Sequence, residues 1–240
     1  PGAWTGERGR FRVTGHRGRA ALGSLVTLEA PSPDRVTPHC PHHGHDEAHC
    51  GGCPWQFVAY GAQLAAKEAR LHSALSRLGV AEVQAPIWAA PETLGYRNRA
   101  RLRSDGERIG FLAAGSNRLA PIDDCPVLTA RNRETLAALQ GRLPEPAWRP
   151  RRRGPLTVLP IDDENGPEAV APDAPQPFRQ GNSAQNARMR DWLAGPIADY
   201  AGRPTVELFA GSGNFTEVLA AGGCRPLLAA DSAGDALATL

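Results

Sequence analysis

The chain has 240 residues, 41% of them hydrophobic and 22% charged, and a formal net charge of +2. That is the composition of a globular protein with room for more than one core. It excludes a membrane-spanning helix, because no apolar run approaches the roughly 18–20 residues required. The Gly- and Arg-rich start lacks the apolar segment of a signal peptide, so the expected location is cytoplasmic. Met189 is the sole methionine, which leads to the expectation that the chain begins inside a longer protein. Lys67 is the sole lysine, so 26 of the 27 basic residues are arginine. A GC-rich gene raises Arg together with Ala, Gly and Pro, so the placement of the arginines says more than their number.

Residues 1–30 read as β-structure: Phe11, Val13, Leu22, Leu25, Val26 and Leu28 fall in apolar segments separated by Gly15 and the stretch from Arg17 to Arg19. Thirty residues cannot close a barrel unaided. A Pro-punctuated linker, a Cys/His cluster at 39–55 and a helix over 60–78 follow. Leu64, Leu71, Leu75 and Leu78 share a face of that helix and Gly79 stops it. Residues 86–128 read as short strands, with Asp105-Gly106 turning a hairpin. Residues 129–142 read as helical. Residues 143–177 read mostly as a flexible connection with a strand near 156–161. Residues 182–200 read as a helix bent near Gly195-Pro196. The last forty residues read as strand, Gly-rich turn, helix, strand and acid: the opening βαβ of a Rossmann-like sheet.

Glu207, Gly211, Gly213 and Asn214 lie where that first strand meets the helix. Glycines allow close backbone approach, and the helix start offers free N–H groups. The third glycine of a dinucleotide fingerprint is missing, since Glu217 and Val218 stand there. The turn therefore fits a smaller, phosphate-free ligand such as S-adenosylmethionine (SAM). Asp231 ends the next strand, where a carboxylate can accept from ribose hydroxyls.

Cys40, Cys50 and Cys53 fall within fourteen residues, beside five of the seven histidines. Such a cluster reads as a metal site and not as disulfides. The glycines of Cys50-Gly-Gly-Cys53 let both sulfurs face one metal. Cys125, beside Pro126, is the fourth candidate. Four thiolates suit a [4Fe–4S] cluster. Zinc is the alternative, with His39, His42, His43, His45 and His49 as nitrogen donors, and spacing leaves the metal open. Cys224 reads as a core residue.

Arg97, Arg99, Arg101 and Arg103 recur at period two, so on a strand they share one face. A solvated sheet face usually carries both signs; this one carries a single sign and fits a phosphate track. The run Arg149 to Arg153 is a second basic patch or a charged linker.

Taken together, Cys40-Pro, Cys50-Gly-Gly-Cys-Pro-Trp-Gln56, Tyr96-Arg-Asn98, Ile122-Asp-Asp-Cys-Pro126, Phe178-Arg-Gln180-Gly-Asn182 and Glu207-Leu-Phe-Ala-Gly-Ser-Gly-Asn-Phe-Thr216 carry a resemblance. The chain resembles the bacterial iron–sulfur 23S rRNA (uracil-5-)-methyltransferases over essentially its whole length. The resemblance implies an α/β multidomain fold. Residues 1–30 would be part of a TRAM-like RNA-binding barrel. Residues 31–177 would be the cysteine cluster and central α+β domain with its linker. Residues 178–240 would be the first part of a SAM methyltransferase domain. It implies a [4Fe–4S] cluster on Cys40, Cys50, Cys53 and Cys125, and SAM contacts from Gln180, Phe209, Asn214 and Asp231. RNA, 23S rRNA in particular, is the implied partner; the oligomeric state is not implied. Two departures stand out: Cys50 follows Cys40 by ten positions where the family is tighter, and Asp231 replaces the usual Glu.

The family's mechanism adds a cysteine to uracil C6 and then removes the C5 proton. Its Ser-Cys-Asn nucleophile segment does not occur in this sequence. The expectation is a C-terminally truncated chain, without its own catalytic residue and inactive alone. The competing readings are a non-enzymatic, metal-stabilised RNA-binding protein and a zinc protein built on the histidine loop.

Overall fold

The computed structural model describes residues 2–80, 85–150, 154–238 and 240. Arg151, Arg152 and Arg153 of the second basic patch lie outside them. The chain divides into two compact units. The first comprises Pro1–Ala89, Arg101–Pro126 and Arg133–Leu159; the second comprises Ala90–Ala100, Val127–Asn132 and Pro160–Leu240.

The first unit opens with an antiparallel hairpin, β1 (Arg8–Arg17) and β2 (Ala20–Ala30). Arg17 faces Ala20, so the turn has two residues, and Gly18 takes φ +59°. Glycine first in a two-residue turn matches the right-handed twist of the strands. Phe11, Val13, Leu22 and Val26 are about half exposed, and the hairpin is a two-stranded sheet. After the loop come helix α1 (Tyr60–Arg77) and its C-cap residue Leu78. The Gln63 amide fixes the helix start by donating to the carbonyls of Trp55 and Val58. The four leucines do not act as one buried face. Leu64 and Leu75 are half-buried, whereas Leu71 and Leu78 are exposed, Leu78 because it lies past the last helical turn.

Strands β3 (Arg99–Ser104), β4 (Ile109–Leu112), β5 (Leu119–Pro121) and β6 (Thr157–Asp162) form a sheet of order β5-β4-β3-β6. Asp105 turns β3 into β4 by accepting the Glu107 and Arg108 N–H groups. Gly110 is required: a Cβ there would sit 1.9 Å from the Ala120 carbonyl oxygen on β5. Helix α2 spans Ala130–Gln140. Leu102, Ile109, Ile122, Leu136, Leu139 and Leu159 are buried in the first unit. Among the described residues of 143–177, the strand expected near 156–161 is present as β6, and Trp148 is also built into the core. Trp148 is 1% exposed on a 3-10 turn, and Thr157, Leu159 and Ile161 are buried at alternate positions of β6. Burying an indole outweighs the local Pro and Arg content.

In the second unit, α3 (Ser183–Ile197) starts at Asn182, whose side-chain oxygen accepts the Gln185 N–H. Pro196 sits in its last turn and a 3-10 turn, Ala198–Tyr200, follows. Then come β7 (Thr205–Leu208), α4 (Thr216–Ala221), β8 (Leu227–Ala230) and α5 (Gly234–Leu237). β7 and β8 pair in parallel, with Thr205 opposite Leu227 and Leu208 opposite Ala230. This is the strand–helix–strand order read from the sequence. Among the described residues, no helix is long and apolar enough to cross a membrane.

Candidate functional site

The turn between β7 and α4 is held from both strands. The Asp231 carboxylate, at the end of β8, accepts the Gly211 N–H at 2.8 Å through one oxygen and the Ala233 N–H at 2.8 Å through the other. These two N–H donors keep its pKa below the usual carboxylate range. Glu207 on β7 accepts the Thr216 hydroxyl. Phe209, Gly211 and Gly213 all have positive φ, at +61°, +57° and +91°. The left-handed region costs a glycine little but strains a phenylalanine. Phe209 is nevertheless 88% exposed. A strained, exposed aromatic is an observation that points to function.

The turn forms one wall of a cleft of about 520 Å³ within the second unit. Phe178, Gln180, Asn98 and residues 209–212 line it, as do Asn214 and the α3 side chains Asn186 and Arg190. Gln180, Phe209, Gly211 and Asn214 thus come together here, and Gly213 lies buried in the turn. Asp231 is not among the lining residues; it stands behind Gly211. Asn98 is 8% exposed, and its Nδ2 donates to the Gln180 carbonyl at 2.9 Å and to the Ser183 hydroxyl at 2.8 Å. A flipped amide would set oxygen against oxygen at Gln180, so the orientation is fixed. Asn98 Oδ1 is buried without a partner.

The sequence reading missed Asn98, Asn186 and Arg190. Asn186 and Asn214 exchange amide hydrogen bonds at 2.8 and 2.9 Å. Arg190 donates to the Asn214 carbonyl and to Glu217. The signal for the α3 pair was present: Asn182, Asn186 and Arg190 are spaced by four, one face of a helix.

The arginine strand has the expected alternation. Asn98, Ala100, Leu102 and Ser104 are buried, while Arg97 and Arg101 are exposed and Arg99 and Arg103 partly so. Arg99 is committed in part, donating to the Pro177 carbonyl at 2.6 Å. Burial, and secondarily the Arg179 charge, lower its pKa.

All four candidate cysteine ligands lie in the first unit, and no disulfide joins them. Cys40, Cys50 and Cys53 are partly exposed and Cys125 is buried. The Gly52 N–H points at the Cys50 sulfur, 3.4 Å away. Burial, and also the nearby Cys40, push the Cys50 thiol up. Gly51 has no room for a side chain, since a Cβ would meet the Ala114 Cα at 2.9 Å. His42 accepts the Asp123 N–H at 3.0 Å, which ties the histidine loop to the segment that carries Cys125. His43 and His45 pack edge to face, each against Phe57 as well, and burial lowers the pKa of both. His49 bonds Asp46 at 2.7 Å. Among the described residues, no three His, Cys, Asp or Glu side chains converge on a single metal ion. Cys224 is 1% exposed, as a core residue should be.

No protein-family model matches the chain. An uncharacterized RNA methyltransferase of Nitrosomonas europaea is 38% identical over 246 residues, covering 100% of this chain and 63% of the relative. A 23S rRNA uracil-C5 methyltransferase of Halomonas elongata is 31% identical, covering 93% of this chain and 59% of its own. The chain spans about three fifths of the length of these curated relatives. Among solved structures, the chain resembles the Pyrococcus abyssi tRNA (uracil-54, C5)-methyltransferase in complex with S-adenosyl-L-homocysteine. The TM-score is 0.61 at 20% identity, over 96% of this chain and 66% of that one. The fold is therefore the mixed α/β fold of that protein.

Proposed function

We propose that the cleft of the second unit binds SAM, and that the chain is the RNA-holding and cofactor-binding part of an RNA uracil-C5 methyltransferase acting on 23S rRNA. The observation that carries this reading is the β7–α4 turn: Phe209 and Gly211, two of its three positive-φ residues, line a cleft of about 520 Å³, and Asp231 buttresses Gly211. That volume suits a small molecule. The similarity to RNA methyltransferases supports the same reading.

The residues present fit the cofactor. Asn98 borders the cleft and, through Nδ2, holds the Gln180 main chain in its wall. Gln180 and Phe209 offer an amide and an aromatic face, and the Gly211 backbone permits close approach. When bound, SAM supplies an electrophilic methyl group. The lining residues include no cysteine, so no nucleophile is assigned within the cleft. In this reading, C5 methylation by covalent cysteine addition is an activity of the whole protein.

Arg97, Arg99, Arg101 and Arg103 are assigned to RNA phosphates, and the hairpin β1–β2 to a TRAM-like RNA-binding element. Cys40, Cys50, Cys53 and Cys125 are assigned to a [4Fe–4S] cluster. The donor set fits: four thiols, a glycine turn without room for a side chain, and an N–H directed at one sulfur. Zinc needs four donors about 2.3 Å from one point, whereas each thiolate of a cubane meets a different iron. Zinc on the same thiols, or on thiols and the histidine loop, is the alternative that metal analysis separates.

Equilibrium titrations with S-adenosyl-L-homocysteine (SAH), and gel-shift assays with 23S rRNA fragments against tRNA, test the reading. It expects SAH binding and a preference for the rRNA fragment. Failure to bind SAH removes it.

A further inference from the structure

We propose that Asn186 and Arg190 on α3 are positioning residues for the cofactor: they set the conformation of the β7–α4 turn through Asn214. The proposal rests on the reading that the cleft binds SAM, and it adds a device from outside the βαβ unit that carries the turn.

The turn is tied to its own two strands by Glu207 and Asp231. Neither tie reaches residue 214, where the turn becomes α4. Phe215, the N-cap residue of α4, makes no side-chain capping bond. The missing restraint comes from α3. Asn186 Nδ2 donates to Asn214 Oδ1 at 2.8 Å, and Asn214 Nδ2 donates back to Asn186 Oδ1 at 2.9 Å. A reciprocal amide pair fixes the orientation of both side chains, because flipping one alone sets like atoms against each other. One turn of helix further on, Arg190 donates to the Asn214 main-chain carbonyl and, at 2.8 Å, to Glu217. Residue 214 is therefore held by side chain and backbone together.

The clamp uses groups that SAM was expected to use. Asn214 spends one amide hydrogen and one lone pair on Asn186, so its remaining capacity toward a ligand is directed by Asn186. Partly buried hydrogen bonds inside a cleft are shielded from water and hold geometry well. Three hydrogen bonds and an ion pair thus keep a turn with three left-handed residues in one shape before ligand arrives. Such pre-organisation lowers the ordering cost of binding.

The probe is SAH titrated into wild type, Asn186→Ala, Asn214→Ala and the double variant, with thermal melting of the ligand-free proteins alongside. Asn186→Ala is expected to weaken SAH about tenfold. The double variant should be no weaker than Asn214→Ala, because both changes break one pair. Amide hydrogen exchange at residues 211–215 should speed up in Asn186→Ala, with the rest of the second unit unchanged. A general loss of structure would not give that local pattern. Should Asn186→Ala lose its cooperative melt, Asn186→Asp carries the same test. It keeps the acceptor for Asn214 Nδ2, removes the donor to Asn214 Oδ1, and should weaken SAH to a lesser extent. Wild-type affinity in Asn186→Ala or Asn186→Asp, or fully additive losses in the double variant, overturns the proposal. If wild type itself binds no SAH, the reading of the cleft fails instead.

Discussion

The Asp231 carboxylate bridges two backbone N–H groups, Gly211 and Ala233, at 2.8 Å each. It therefore ties the glycine turn after β7 to the end of β8. Replacing it with Ala frees both donors and unfastens the turn. Asp231→Ala should weaken SAH binding by at least about tenfold in calorimetric titration. Asp231→Glu, the side chain usual in the resembled family, should stay within a few-fold of wild type. Equal binding by all three proteins would detach Asp231 from the ligand.

Phe209 holds a φ of +61° while 88% exposed, so its backbone strain is not repaid by burial. A non-glycine residue in that region costs on the order of 1–3 kcal/mol. Phe209→Gly should therefore raise the melting stability of the chain by about 1 kcal/mol while weakening SAH. A variant both less stable and equally good at binding would contradict the functional reading of the strain.

Glu7 and Arg35 form a forked ion pair, and the Glu7 side chain is fully shielded from solvent. The Arg35 hydrogen bonds hold the Glu7 pKa at about 2, against an ordinary 4.5. Because the folded-state pKa is depressed, the stabilisation is complete above pH 4.5 and is lost as pH falls from there through 2. Acid unfolding of wild type should show this loss. Glu7→Gln should be destabilised at pH 7 and lack that share of the acid slope.

Arg97 and Arg101 are exposed, whereas Arg99 is bonded to the Pro177 carbonyl. Arg97→Gln and Arg101→Gln should each lower the slope of log affinity for RNA against log salt by about one unit or less. SAH affinity should not change. Unchanged slopes would return this face to the role of a solvated sheet surface.

The thiol cluster makes its own prediction. Anaerobically purified protein should carry about four irons and four sulfides per chain. Cys50→Ser and Cys125→Ser should each lose them. One zinc without sulfide would replace the cluster assignment.

Much of the fold was legible because its signals are local. Asp105-Gly106 and the period-two arginines from Arg97 to Arg103 specify a hairpin and its strand within a few residues. The cofactor turn was legible for the same reason, since Gly211, Gly213 and Asp231 occupy fixed places in a βαβ order. The residues that were missed act over long separations. Asn186 meets Asn214 across 28 positions and Asn98 meets Ser183 across 85, and no local pattern encodes either contact. Trp148 was hidden by its neighbours: a Pro- and Arg-rich stretch reads as linker until the burial of the indole is seen. Leu71 and Leu78 show the converse, since helical spacing proposes a face but only packing decides which side is covered.

Calorimetric titration of SAH into the wild-type chain tests the central claim most directly. One site per chain with a dissociation constant below about 100 μM is the predicted result. No binding at about 1 mM ligand, with the chain folded and its melt cooperative, would contradict it.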